Sequence, residues 1–215
     1  MSWWQIDILI MISYGLVHSC LTTRPAMKLY EIFFPEWSWN IAMCLFSAVT
    51  LAMGIYYWQP SGQYIYILIP GSPLFHFAAL SMVMLLGLTI YCFRYTSTFW
   101  QWLGIRQLIA RLKEKKAPAP YRMHIQGIKR YVRFPHHTFL MFFFWAHPIM
   151  TYDTLLFSVG TTMYMYLGTW HMDKRLESIF GNEWRAYKKD TGLMLPTFKA
   201  WSRLFADIRQ TSDVL

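Results

Sequence analysis

Charged residues are few in this 215-residue chain, 14% of positions, against roughly 25% in an ordinary water-soluble domain. So thin a polar set cannot cover a globule in water, and lipid has to solvate much of the surface. Lysine and arginine are absent from one side of the five apolar runs that divide the sequence. Two follow the first run (Arg24, Lys28), ten lie from Arg94 to Arg133, and eight from Lys174 to Arg209, which accounts for all twenty. The other side carries only Asp153 outside the apolar segments. Short basic loops are retained on the cytoplasmic face. The expected orientation therefore has the N-terminus outside and the C-terminus cytoplasmic, in an integral protein of a bacterial inner membrane.

Cysteine is equally sparse. Cys20, Cys44 and Cys92 stand singly, with an odd total and no Cys-x-x-Cys pair, which excludes a disulfide framework and a thiolate zinc site. They read as inert thiols. No basic residue precedes the first apolar run, so a cleavable signal peptide lacks its charged start and the first segment is expected to stay. A net charge of +9 raises nucleic acid as a partner. The charges flank membrane ends, however, where anionic headgroups receive them, and no groove-reading motif accompanies them.

A hydrocarbon core of roughly 30 Å takes about twenty helical residues. That ruler predicts an all-α polytopic membrane helix bundle in one domain, 1–215, with spans near 4–21, 37–58, 74–96, 136–150 and 153–172, a cytoplasmic loop 97–135 and a cytoplasmic tail 173–215. The fourth span is short because proline bounds it, at Pro135 and at His147-Pro148. The uncharged, aromatic stretch Gln63 to Pro73 is expected along the outer interface. Phe99 to Lys116 reads as an interfacial amphipathic helix, with Phe99, Trp100, Leu103, Leu108 and Leu112 apolar and Arg106, Arg111, Lys113 and Lys115 facing headgroups. Lys174 to Lys189 reads as a second, mixed-charge helix that continues off the membrane end of the fifth span, with Gly181 as a break. The partner throughout is the lipid bilayer.

Ionisable groups at membrane depth are costly and point to function. His18 closes the first span, His136 and His137 open the fourth, and His171 with Asp173 closes the fifth, all at the cytoplasmic depth, with Arg133 and Arg175 beside them. His147 is ten or eleven residues farther along the fourth helix, about 15 Å away, and so outside that group. Each histidine alone also suits a packed or interfacial ring. Together, His18, His136, His137 and His171 form a candidate set of ligands for haem b or a metal ion. His136 and His137 point about 100° apart on a helix and will not chelate one ion together.

His18-Ser19, Arg24-Pro25, Lys28, Pro35-Glu36, Trp58-Gln59-Pro60, Leu103 to Gln107, Phe144-Trp145-Ala146, Met150-Thr151, Leu155-Leu156-Phe157, Gly181, Tyr187 and Leu195-Pro196 recur in order in one family. On them the chain resembles the bacterial methanethiol S-methyltransferases and their NnrU-type relatives. The wider superfamily includes isoprenylcysteine carboxyl methyltransferases, which use S-adenosylmethionine, and 15-cis-zeta-carotene isomerases, which bind haem. The resemblance runs from about residue 14 to 198. It implies a membrane methyltransferase moving a methyl group from S-adenosylmethionine to a small thiol or lipophilic acceptor. Arg133, Pro135, His171, Asp173 and Arg175 would bind the cofactor, and His137 or His136 would take the acceptor's proton.

The methyltransferase pattern Arg-His-Pro-x-Tyr-x-Gly is here Arg133-Phe134-Pro135-His136-His137-Thr138-Phe139, and its Glu-Glu pair is Met172-Asp173. The isomerase branch is similar in other places: His18-Ser19, Ala146-His147 and Asp173-Lys174-Arg175-Leu176. That similarity implies a haem- or metal-binding isomerase or redox protein as the alternative. An eroded motif also suits a binding or assembly protein without catalysis.

Overall fold

A computed structural model describes residues 1–94, 100, 103–113, 123 and 125–212. Phe99, Lys115 and Lys116 of the expected interfacial helix lie outside the described residues. In chain order the elements are α1 (Trp3–Leu21), α2 (Arg24–Glu31), α3 (Trp39–Tyr57), β1 (Tyr64–Ile67), α4 (Pro73–Arg94), α5 (Ile105–Leu112), α6 (Pro135–Trp145), β2 (Ile149–Thr151), α7 (Tyr152–Phe180), α8 (Asn182–Asp190) and α9 (Phe198–Ser212). The architecture is an all-α membrane helix bundle. Among the described residues three helices are long and apolar enough to cross a bilayer: Trp3–Leu21, Glu36–Tyr57 and Pro73–Phe93. They leave large apolar side chains such as Leu16, Leu45 and Leu80 uncovered by protein, as a lipid-facing surface requires.

The chain divides into two compact units. The first comprises Met1–Ile65, Ser97–Arg122 and Thr151–Phe157. Its α1 opens where the Ser2 N–H donates to Gln5 Oε1 at 2.9 Å, satisfying one of the donors a helix start leaves bare. Helix α1 packs along α3, where Gly54 lets Ile10 approach closely. Gly104 precedes α5 with φ 81°, and a side chain there would strike the Ile41 backbone nitrogen at 2.8 Å. Two acids fasten this unit. Asp7, fully buried, accepts the Gln59 N–H at 2.9 Å. Asp153 accepts the Ser61 N–H at 3.0 Å and its hydroxyl at 2.6 Å.

The second unit comprises Tyr66–Thr96, Met123–Met150 and Ser158–Leu215. Helix α6 packs along α4 and starts at Pro135, whose missing N–H costs nothing at a first helical position. It ends at Trp145 rather than reaching 150, because His147-Pro148 stops it and the chain turns into β2. Eleven residues give about 16 Å, half the thickness of a bilayer core. By contrast, the expected span 153–172 and the first half of the expected helix 174–189 are one continuous α7 of 29 residues. The break falls at Gly181, with φ 57°, and α8 follows it.

Three further features differ from the sequence reading. Part of the stretch 63–73 is strand β1, α2 is an additional short helix, and the tail carries α9. Gly127–Arg130 forms a 3-10 turn before α6. Of the cysteines, Cys20 is exposed, Cys44 intermediate and Cys92 buried.

Candidate active site

The loop entering α6 is pinned by the loop after α8. The Arg133 N–H donates to the Gly192 carbonyl at 3.0 Å and the Phe134 N–H to the Leu193 carbonyl at 3.1 Å. Position 192 must be glycine, since a Cβ there would lie 1.7 Å from the Leu195 carbonyl oxygen. Buried Thr138, one turn into α6, donates its hydroxyl to the Met194 carbonyl. Together these bonds hold Arg133 over α7 and α8.

There Arg133 Nε meets Asp173 Oδ1 at 2.9 Å, with side-chain exposures of 8% and 4%. Arg133 Nη1 also donates to the Thr191 carbonyl at 2.5 Å. Asp173 is fully engaged: Trp184 Nε1 donates to Oδ1 at 3.0 Å and the Lys188 ammonium lies 2.9 Å from Oδ2. Lys188 bridges on to Glu177 at 2.9 Å. The hydrogen bonds to Asp173 and Glu177 raise the Lys188 pKa, and the bond from Lys188 lowers that of Glu177. Tyr187 donates to the Lys129 carbonyl at 2.5 Å, and burial pushes its hydroxyl pKa up. A buried charge pair persists only when its remaining lone pairs and protons find partners, and here both Asp173 oxygens and the Arg133 Nε and Nη1 have them.

The histidine pair of α6 lies in the same unit. Buried Pro135 precedes it, and the two rings are 4.2 Å apart between centroids. His137 Nδ1 is 2.7 Å from Thr169 Oγ1, while the Thr169 hydroxyl donates to the Met165 carbonyl at 2.6 Å. With that proton committed, His137 Nδ1 is the donor, and the neutral ring carries its lone pair on Nε2. His136 Nδ1 is buried without a hydrogen-bond partner among the described residues. Phe134 stacks parallel to His137, with centroids 6.0 Å apart, and joins Trp184 and Tyr187 in the unit's buried aromatic cluster.

Beside that cluster is a cavity of roughly 580 Å³ whose lining includes Met123, Arg130, Glu183, Tyr187, Asp190 and Arg203. Arg203 Nε is buried without a partner among the described residues. Tyr187 and Met123 belong both to this wall and to the surroundings of Phe134.

The structure thus gathers Arg133, Pro135, His136, His137 and Asp173 within one unit. It does not add His171 and Arg175, which are exposed on α7. Each is two residues from Asp173, about 200° around the helix, and so on the opposite face. His18 belongs to the first unit, where its Nδ1 is 3.0 Å from Ser47 Oγ. No group of three or more His, Cys, Asp or Glu side chains able to hold a metal ion occurs among the described residues. Trp184, Lys188, Thr191 and Gly192 are essential to the arrangement and were not singled out from sequence. Their only signal is the spacing Trp184, Tyr187, Lys188, Thr191, one face of a helix.

Fold and site define the class: an integral membrane helix bundle whose second unit centres on a buried Arg133–Asp173 pair, extended by half-buried Lys188, beside a paired imidazole. No family model and no solved structure matches the chain. Curated relatives do. The chain is 25% identical over 197 residues to the methanethiol S-methyltransferase of Pseudomonas deceptionensis, covering 90% of this chain and 73% of that protein. It is 25% identical over 195 residues to methanethiol S-methyltransferase 1 of Bradyrhizobium diazoefficiens, covering 89% and 66%. The methanethiol S-methyltransferase of Crocosphaera subtropica gives 25% over 194 residues, 89% and 74%. The chain is thus similar to methanethiol S-methyltransferases along about nine-tenths of its length.

Proposed function

We propose that this protein is a membrane-embedded methyltransferase that moves a methyl group from S-adenosylmethionine to a small thiol or lipophilic acceptor. The observation that carries this reading is the collinear similarity to methanethiol S-methyltransferases along about nine-tenths of the chain. The cavity beside Tyr187 supports it, since its volume falls in the range of small-molecule sites, about 300–1,000 Å³. Its donor set also fits the cofactor. Arg203, whose Nε is buried without a partner among the described residues, suits the amino-acid carboxylate, Glu183 the ammonium or ribose hydroxyls, and Met123 with Ile125 an apolar base. When bound, S-adenosylmethionine supplies an electrophilic methyl on a sulfonium.

Arg133 and Asp173 satisfy each other, so their role is to fix the wall formed by α8 and the loop 191–194. Pro135 sets the start of α6. His137, with Nδ1 spent on Thr169, offers Nε2 to the acceptor's thiol proton, the task of a general base. His136 is the neighbouring imidazole, 4.2 Å away between ring centroids. Exposed His171 and Arg175 meet headgroups rather than cofactor. In the expected orientation, with the C-terminus cytoplasmic, the cavity opens to the cytoplasm where S-adenosylmethionine is made available.

Full-length protein in lipid nanodiscs, titrated with S-adenosylmethionine and then given methanethiol with headspace detection of dimethyl sulfide, tests this. Binding and product formation are expected. His137→Ala should cut turnover roughly 10²–10⁴-fold with cofactor affinity kept. Absence of both binding and transfer would overturn the reading, and a Soret band lost in His18→Ala would replace it with the haem alternative.

A further inference from the structure

We infer that α9 is an interfacial anchor that lies in the headgroup layer of an anionic lipid surface, at the membrane level where α4 ends. Phe198, Trp201, Phe205 and Ile208 fall at spacings of three, four and three, one stripe of a helix, and are 94%, 44%, 57% and 55% exposed. Trp201 and Phe205 stack with centroids 5.8 Å apart. An apolar ridge of this size on a polar helix is what inserts into the boundary between headgroups and acyl chains, where Trp is favoured.

The opposite face is committed to the protein. Ala200 is fully buried, Lys199 bridges to Asp190, and Arg203 donates to the carbonyls of Arg130 and Asp190. Asp207 accepts from the Tyr131 hydroxyl at 2.5 Å and lies 3.3 Å from Arg130 Nη2.

Those contacts set the helix's depth. Phe93, in the last turn of α4, meets His136, in the first turn of α6, at 5.4 Å between ring centroids. The segment 130–134 that leads into α6 is therefore level with the end of a span. It is Arg130 and Tyr131 of that segment that grip α9. Exposed Arg209, in the last turn beside the apolar stripe, has the charge sign that anionic headgroups attract. Lipid is thus the occupant to which position, apolar stripe and charge all point. Because Tyr131 is two residues from Arg133, seating α9 on lipid also steadies the loop that carries the buried network.

The test uses the full chain in nanodiscs of phosphatidylcholine alone or with phosphatidylglycerol. A fluorophore is placed by Phe205→Cys on the stripe, or by Ala206→Cys on the exposed flank, in a background of Cys20→Ser, Cys44→Ala and Cys92→Ala. Quenching by doxyl lipid is expected at 205 and not at 206, and more strongly with phosphatidylglycerol. Hydrogen exchange of the unaltered protein checks this without substitution: amides of 198–209 should exchange roughly fivefold more slowly in phosphatidylglycerol discs, the factor that one basic residue at an anionic surface supplies. Equal aqueous quenching at both positions, exchange indifferent to lipid, or protection that requires two copies per disc would each overturn the assignment.

Discussion

The two units bury their acids in different ways. In the first, Asp7 and Asp153 have no basic partner among the described residues. Asp7 accepts a backbone N–H and Asp153 a backbone N–H with a hydroxyl. In the second, Asp173 is met by a guanidinium, an ammonium and an indole. The difference teaches where the chain places its stakes. A carboxylate fed by backbone donors ties a helix end to a loop and asks little of the rest of the molecule. A carboxylate holding two cations fixes three elements, α7, α8 and the entrance to α6, and fails as a whole when one member is removed.

The sharpest way to break the comparison is Asp173→Ala. Removing one partner of a buried pair leaves uncompensated charge, and the expected loss is about 3–5 kcal/mol with methyl transfer abolished. Chemical denaturation in detergent measures it, and a loss no larger than for Asp7→Ala would erase the distinction. Next comes Gly192→Ala, which overfills the turn and displaces the two backbone bonds to Arg133 and Phe134. A cost of about 1–3 kcal/mol is expected, read as lower thermal stability and faster amide exchange at 133 and 134. Asp7→Asn keeps an acceptor for the Gln59 N–H and should cost about 1 kcal/mol, leaving transfer rates unchanged.

The smallest effect concerns Tyr131. Its hydrogen bond to Asp207, then burial and the Asp207 charge, raise its pKa above the ordinary value of 10.0. A raised folded-state pKa means that the contribution is whole below about pH 10 and is lost as pH climbs through the folded value. Tyr131→Phe should remove about 0.5 kcal/mol, discounted for solvent, and flatten the alkaline limb of a stability-versus-pH curve. An unchanged limb would show that the bond contributes nothing.

Long apolar runs were legible at once: α1, α3 and α4 begin and end within about two residues of the expected spans, a usual boundary error. Gly181 was legible as a break. The continuation of 153–172 into 174–180 was legible too, as a mixed-charge helix running on from the fifth span; the partners that Asp173 and Glu177 find in α8 across that break were not. Strand β1 hid in a stretch whose aromatic character suits an interface equally well. In the site, Arg133 and Asp173 were legible through the family resemblance, whereas Lys188 and Gly192 were not, since neither is near them along the chain. His171 and Arg175 could have been set aside from sequence alone, because residues two apart on a helix face opposite sides.

The three thiols differ in shelter, and Cys92 sits one position before the Phe93 ring that touches His136. A membrane-permeant alkylating reagent should therefore modify Cys20 promptly and Cys92 only when the packing that buries it on α4 opens. The protein carries its own clock for the opening of its second unit, readable by mass spectrometry without any engineered label.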